Sequence, residues 1–194
     1  MIIRLIHGIH SIEGESNMSA FLPYIRKAFP DAIVELFEYG FMGFWEARWQ
    51  NPDVAYDLAS ISKLNKDNHK EVWLTHSNGA AIAYLAVREY SAEPDMIINF
   101  NPALDRHRTA AIPHVEVVHS KQDRAVQLAQ WVPFNIWGDQ GRVGYRGKLK
   151  NTKNSFAEDF PPHMSYKHHC GAFSPDRIEH WANFVKDKIE STLK

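Results

Sequence analysis

Cysteine is almost missing from this chain: Cys170 is the single one among 194 residues, which excludes an intrachain disulfide. An excess of one charge is missing as well. The 22 Lys and Arg against 23 Asp and Glu leave a formal net charge of -1, so no overall field draws the molecule to nucleic acid or to an anionic membrane. No apolar run approaches the ~20 residues needed to cross a bilayer, and the mean hydropathy is negative. The opening MIIRLIHG runs straight into strand-like sequence with neither a basic leader nor a cleavable apolar segment. Together with the lone cysteine this makes a cytoplasmic setting the expectation. The expected partner is a modest-sized molecule recognised locally.

What is present suffices for a core. Hydrophobic residues make up 44% of the chain, and a chain of this size buries roughly 70% of the surface its unfolded form exposes, so one domain over 1–194 is expected. Short apolar runs at Ile2–Ile6, Ile33–Phe37, Val72–Thr75, Met96–Phe100 and Val115–His119 are too brief for helices and mostly rich in β-branched residues. They read as buried strands. Between them lie helically spaced apolar positions, including Phe21, Leu22, Ile25 and Ala28, then Val54, Leu58 and Ile61, the latter set after a start signal at Asn51-Pro52. Ser174-Pro175-Asp176 opens a last amphipathic helix with Ile178, Trp181, Val185 and Ile189 on one stripe. Strands alternating with helices predict an α/β fold, a three-layer α/β/α sandwich on a mostly parallel sheet. From about 131 to 162 the pattern dissolves into recurring glycines among basic residues, read as an irregular loop or lid for substrate contact, or equally as a surface insertion containing a hairpin.

The chemistry concentrates around EVWLTHSNGAAIAYLAV, where a strand runs through Thr75-His76-Ser77-Asn78-Gly79 into an alanine-rich helix. A serine in such a strained strand-to-helix turn needs small residues where the helix nears the strand, and Gly79, Ala80 and Ala81 supply them. Thr75 stands where the G-x-S-x-G pattern carries glycine. The plainer alternative makes Ser77 a helix cap. Upstream, Ile2–Ile6 runs into His7-Gly8-Ile9-His10, a glycine turn whose freed N–H groups suit an oxyanion. The candidate donors are the backbone amides of Ile9 and Asn78. His7 and His10 as metal ligands are the competing reading, but no carboxylate or cysteine joins them at metal spacing, so no metal is expected.

An acid is sought at the carboxyl end of a later strand. Asp123, after HVEVVHS, is the first candidate, with Asp105 as rival and Asp139 as a weaker one. Histidines come later at His163, His168 and His169, with His180 on the last helix, completing the order Ser, Asp, His. Cys170 is a further nucleophile candidate but has no elbow around it. Phe41, Phe44, Trp45 and Trp49, after the second strand, are either an apolar acyl pocket or aromatic packing beneath a loop.

With HGIH, THSNGAAIA, HSKQDRAV and HHCGAF in order, the chain resembles the α/β-hydrolases, in a minimal form like the short serine hydrolases of phage and bacterial genomes. The resemblance covers most of the chain. It implies a minimal α/β-hydrolase fold and a cofactor-free Ser-His-Asp hydrolase acting on esters, sometimes amides or thioesters. Ser77 would be the nucleophile, Asp123 the acid and His169 the base, since relatives carry their histidine just before a small-Gly-x-Phe run like Cys170-Gly171-Ala172-Phe173. The partner implied is a small acyl substrate, in a pocket of His10, Phe41, Phe44 and Trp45. The missing leading strands leave a sheet edge through which a homo-oligomer could form. An acyltransferase or thioesterase on the same triad, or a ligand-binding protein on this scaffold, are the alternatives.

Overall fold

The computed structural model describes residues 1–9, 16–65, 69–123, 125, 137–157 and 171–193. His10, His163, His168, His169 and Cys170, all singled out from the sequence, lie outside the described residues. The elements in chain order are β1 (Ile2–Ile6), α1 (Asn17–Ala28), β2 (Ile33–Phe37), α2 (Ala47–Asn65), β3 (Glu71–His76), α3 (Asn78–Tyr90), β4 (Met96–Phe100), β5 (His114–His119), α4 (Gln140–Val143), β6 (Thr152–Phe156), a 3-10 turn (Gly171–Phe173) and α5 (Ile178–Thr192). Six strands form one sheet in the order β2-β1-β3-β4-β5-β6, every neighbouring pair parallel.

Side chains alternate across a strand, so each strand feeds two cores. Ile3, Leu5, Val72, Leu74, Ile98 and Phe100 pack with Phe21 and Ile25 of α1 and with Trp181, Val185 and Ile189 of α5. Ile6, Trp73, Ile97, Val115 and Val117 point the other way, onto Ala55 and Leu58 of α2 and Ile82, Ala83 and Ala86 of α3. Three layers result, with the sheet in the middle. Arg4, buried in β1, is held by Glu35 and Glu71, and Ser62 donates to Glu71, so the charges are paired as burial demands. Among the described residues no helix is long and apolar enough to cross a membrane.

Several boundaries differ from the sequence reading, among them the start of the last helix, which falls at Ile178 after a turn over Ser174-Pro175-Asp176. Within the stretch 131–162, which the sequence presents as irregular, residues 152–156 form the edge strand β6 and 140–143 form the short helix α4. The segment TKNSF is polar and half exposed because, among the described residues, only one side of it meets another strand, so no apolar run announces it. Helix α2 begins at Ala47, before Asn51-Pro52, because Glu46 accepts from the Gly43 amide at 2.6 Å and closes the turn there. The side chain of Asn51 is taken up by Asn78.

The sheet register decides which strand ends meet. Ile6 pairs with Phe37 on one side and Thr75 on the other. Two residues further on, Gly8 therefore falls between Tyr39 and Ser77. In the same way His76 pairs with Phe100, and Phe100 with Val118, which brings Asn101 beside Ser77 and leads β5 towards Asp123.

Candidate active site

Ser77 closes β3 and opens α3 in a conformation that L-residues rarely adopt, φ 54° and ψ -119°. That backbone strain is held from the end of β4. The Ser77 amide donates to the Phe100 carbonyl at 3.1 Å, and the Ser77 carbonyl accepts from Ala103 at 3.0 Å. Two glycines make the turn possible. A Cβ on Gly79 would stand 2.5 Å from the Ile6 carbonyl oxygen and 2.7 Å from that of His7. One on Gly8 would stand 3.0 Å from the Ser77 Cβ and 3.5 Å from its Oγ. The loop after β1 thus lies against the serine itself. Thr75, in the place of the pattern's first glycine, is buried in the sheet and donates to Asn99 Oδ1 at 2.6 Å, so its hydroxyl is satisfied there.

Asn78 is the first residue of α3, directly after the serine, where backbone amides have no intrahelical acceptor and the helix dipole is positive. Its fully buried side chain is pinned from three directions. It exchanges amide hydrogen bonds with Asn51 at 2.8 and 3.0 Å, Trp137 Nε1 donates to its Oδ1 at 2.8 Å, and the Met42 sulfur lies 3.7 Å from its Nδ2. Neither Asn51 nor Trp137 is visible as a site residue in the sequence, since both meet Asn78 only through tertiary packing. Ile9 is half-buried and packs with Met42, Ala47, Ala103 and Trp137.

The three candidate acids separate cleanly. Asp123 is fully buried, and its Oδ2 accepts from Asn101 Nδ2 at 2.8 Å. A turn on Ser120 carries it there, with Asp123 N–H donating to the Ser120 carbonyl at 3.1 Å. Asp105 is exposed and caps the His107 amide at 2.8 Å. Asp139 is engaged by the Arg106 guanidinium. Of the three, Asp123 alone follows the strand two places from β3, a distance of about 10 Å between strand axes that an imidazole with a hydrogen bond at each end helps to bridge.

Of the described histidines, His76 is buried on the opposite face, edge-on to Phe173 at 5.1 Å. His180 packs on Trp181 in α5, and burial lowers its pKa. His7 stacks on Tyr39 with ring centroids 4.0 Å apart, and desolvation lowers its pKa too, against the opposing pull of the Gly8 carbonyl and Glu38. Burial raises the Tyr39 phenol far above its usual range. Phe44 rests on Trp137 at 4.3 Å, whereas Phe41, Trp45 and Trp49 are exposed on the same loop and helix start. Among the described residues no group of His, Cys, Asp and Glu is arranged to hold a metal.

No family model and no curated sequence matches the chain. Solved structures do. Est1E from Butyrivibrio proteoclasticus, in a complex with ferulic acid, aligns at TM-score 0.63 and 15% identity over 99% of this chain and 89% of that one. The catalytic core domain of acetyl xylan esterase from Trichoderma reesei aligns at 0.57 and 12% over 99% and 98%. An extracellular alpha/beta-hydrolase from a Paenibacillus species aligns at 0.52 and 11% over 96% and 98%. The parallel sheet, its strand order and these likenesses agree that the chain has the α/β-hydrolase fold.

Proposed function

We propose that the chain is a serine hydrolase that cleaves a carboxylic ester through Ser77, His169 and Asp123. The observation that carries this reading is the backbone of Ser77, strained to φ 54° between β3 and α3 with Gly8 packed against it. A serine that merely capped α3 would sit in an extended conformation and accept from an amide of the first turn. Ser77 makes no such side-chain cap. The acetyl xylan esterase among the structural relatives, and the ferulic acid bound to another, support the substrate class.

In this mechanism His169 takes the Ser77 proton as Oγ attacks the ester carbonyl, and the amides of Ile9 and Asn78 receive the oxyanion. The protonated imidazole, steadied by Asp123, returns the proton to the leaving alcohol, and water then repeats the cycle on the acyl-enzyme. Asp123 remains ionised throughout. Phe173 supports the choice of histidine: its ring anchors on Phe100, His76 and Phe21, and it comes four residues after His169, within ~14 Å of chain. Phe44 and Trp137, beside Ile9 and Asn78, would line the acyl side, with Phe41 and Trp45 nearer solvent. The stretch 131–162 would cover the substrate, and the single cysteine suits a reducing compartment.

The test is turnover of p-nitrophenyl esters of rising acyl length by wild type and Ser77→Ala. The variant should fold and lose roughly 10⁴–10⁶ in kcat. Near wild-type turnover by folded Ser77→Ala would remove the reading. Because a histidine base must be neutral, kcat/KM should also fall on acidification through about pH 6–7.

A further inference from the structure

Tyr39 stands two residues beyond β2, and its hydroxyl reaches across the end of β1. It lies 2.8 Å from the carbonyl oxygen of His7 and 2.9 Å from that of Gly8, donating to this pair. The Nδ1 of His7 lies 2.7 Å from the same Gly8 carbonyl, so in the hydrogen-bonded tautomer this nitrogen carries the proton. The two rings lie nearly parallel, 16° apart. Burial keeps the phenol protonated, although the Asn78 amide at the same hydroxyl favours the opposite, and keeps the imidazole neutral. The Gly8 carbonyl is thus gripped by two neutral donors.

Strand β1 runs between β2 and β3, so Tyr39 and Ser77 flank Gly8 from opposite sides. In a planar trans peptide the C=O and N–H point in opposite directions. A Gly8–Ile9 peptide whose oxygen is held by the Tyr39 hydroxyl turns its N–H away from that hydroxyl, and Gly8 itself packs against Ser77.

We propose that Tyr39 is a positioning residue of the oxyanion site, its hydroxyl fixing the Gly8–Ile9 peptide so that the Ile9 N–H faces the oxygen of a tetrahedral intermediate on Ser77. This rests on the serine-hydrolase reading. Tyr39 touches no substrate and acts through the peptide it holds, so its effect belongs to the transition state and not to substrate binding.

Tyr39→Phe deletes the hydroxyl and keeps the ring on His7. Measured beside Ser77→Ala on the same esters, it should lower kcat about 10–100-fold, part of the loss that accompanies removal of an oxyanion donor outright, with KM within about twofold. Affinity for a trifluoromethyl ketone, which forms a tetrahedral adduct, should fall by the same factor as kcat/KM, while inhibition by the product carboxylate stays unchanged. A dead Ser77→Ala beside a Tyr39→Phe of wild-type kcat and ketone affinity overturns the proposal alone. An active Ser77→Ala overturns the hydrolase reading beneath it. Loss of product and ketone binding together marks Tyr39 as a packing residue and also overturns the proposal. Should the phenylalanine variant not fold, a fluorinated tyrosine at 39 keeps the shape and lowers the phenol pKa. Its kcat should then fall at alkaline pH where the wild type holds, and superimposable profiles count against the proposal.

Discussion

Asn101 and Asp123 show how the site is built at the scale of single residues. Asn101 adopts φ 46°, a left-handed backbone that asparagine tolerates better than most, and its Nδ2 reaches the Asp123 carboxylate. Asn101→Gly keeps that backbone accessible and removes the hydrogen bond. It should cost roughly tenfold in kcat and lower Tm by several degrees, since a hydrogen bond to a charged group is worth about 1.5–3 kcal/mol. A Tm loss with kcat intact would make Asn101 structural only. Asp123→Asn should cost up to about 10⁴-fold by disturbing the histidine tautomer. Asp105→Asn should behave as wild type, and the reverse result would move the acid to Asp105. The sequence ranks Asp123 ahead of Asp105 on order and motif alone, because both come after strands. Burial separates them, and burial depends on Asn101 and the turn at Ser120, which are neighbours only in the fold. The choice among His163, His168 and His169 is one the sequence narrows through Gly171-Ala172-Phe173. Glutamine replacements at each position, and at His180, decide it: activity should vanish with His169→Gln and survive His168→Gln.

At the scale of elements, the elbow depends on how close α3 comes to the end of β1. Gly79→Ala would drive a methyl to within 2.7 Å of two backbone oxygens that cannot swing aside. It should destabilise by about 1–3 kcal/mol or shift the elbow and cut turnover, as overpacking does. Thermal unfolding and ester turnover check this, and an unperturbed Gly79→Ala would show that helix and strand are further apart. Strands β1 to β5 are legible because each carries a short, largely apolar run, even where β2 is only partly buried. The β3–Ser77–α3 turn is legible because small residues crowd its helix side. β6 is not, since TKNSF pairs on one edge only and owes its place to the β5 register. Nor is the clamp on Asn78, because Asn51 and Trp137 lie 27 residues before it and 59 after it and no periodicity links them.

At the scale of the whole molecule, the same parallel sheet leaves two edges among the described residues, and the expectation of pairing with a second copy rests on them. On β2 the Arg26 guanidinium already occupies the Val34 carbonyl at 3.2 Å, and β6 carries Lys153 on its exposed face, both of which oppose strand addition. Light scattering should therefore report one copy, and a stable dimer would restore edge pairing. Stability should also fall on acidification. His7 and His180 have pKa values below the ordinary imidazole value of about 6.5. The unfolded chain therefore binds more protons below that pH, and stability present above it is lost as the pH falls. Tm should drop below about pH 6.5, less steeply in His7→Asn, and a flat Tm would contradict the sign. The central claim, that Ser77 is a nucleophile activated where β3 turns into α3, is tested most directly by treating the protein with a fluorophosphonate and mapping the adduct by mass spectrometry. One adduct per chain, on the peptide containing Ser77 and absent from Ser77→Ala, is the expected result; an unlabelled wild-type chain, or an adduct that survives Ser77→Ala, would contradict it.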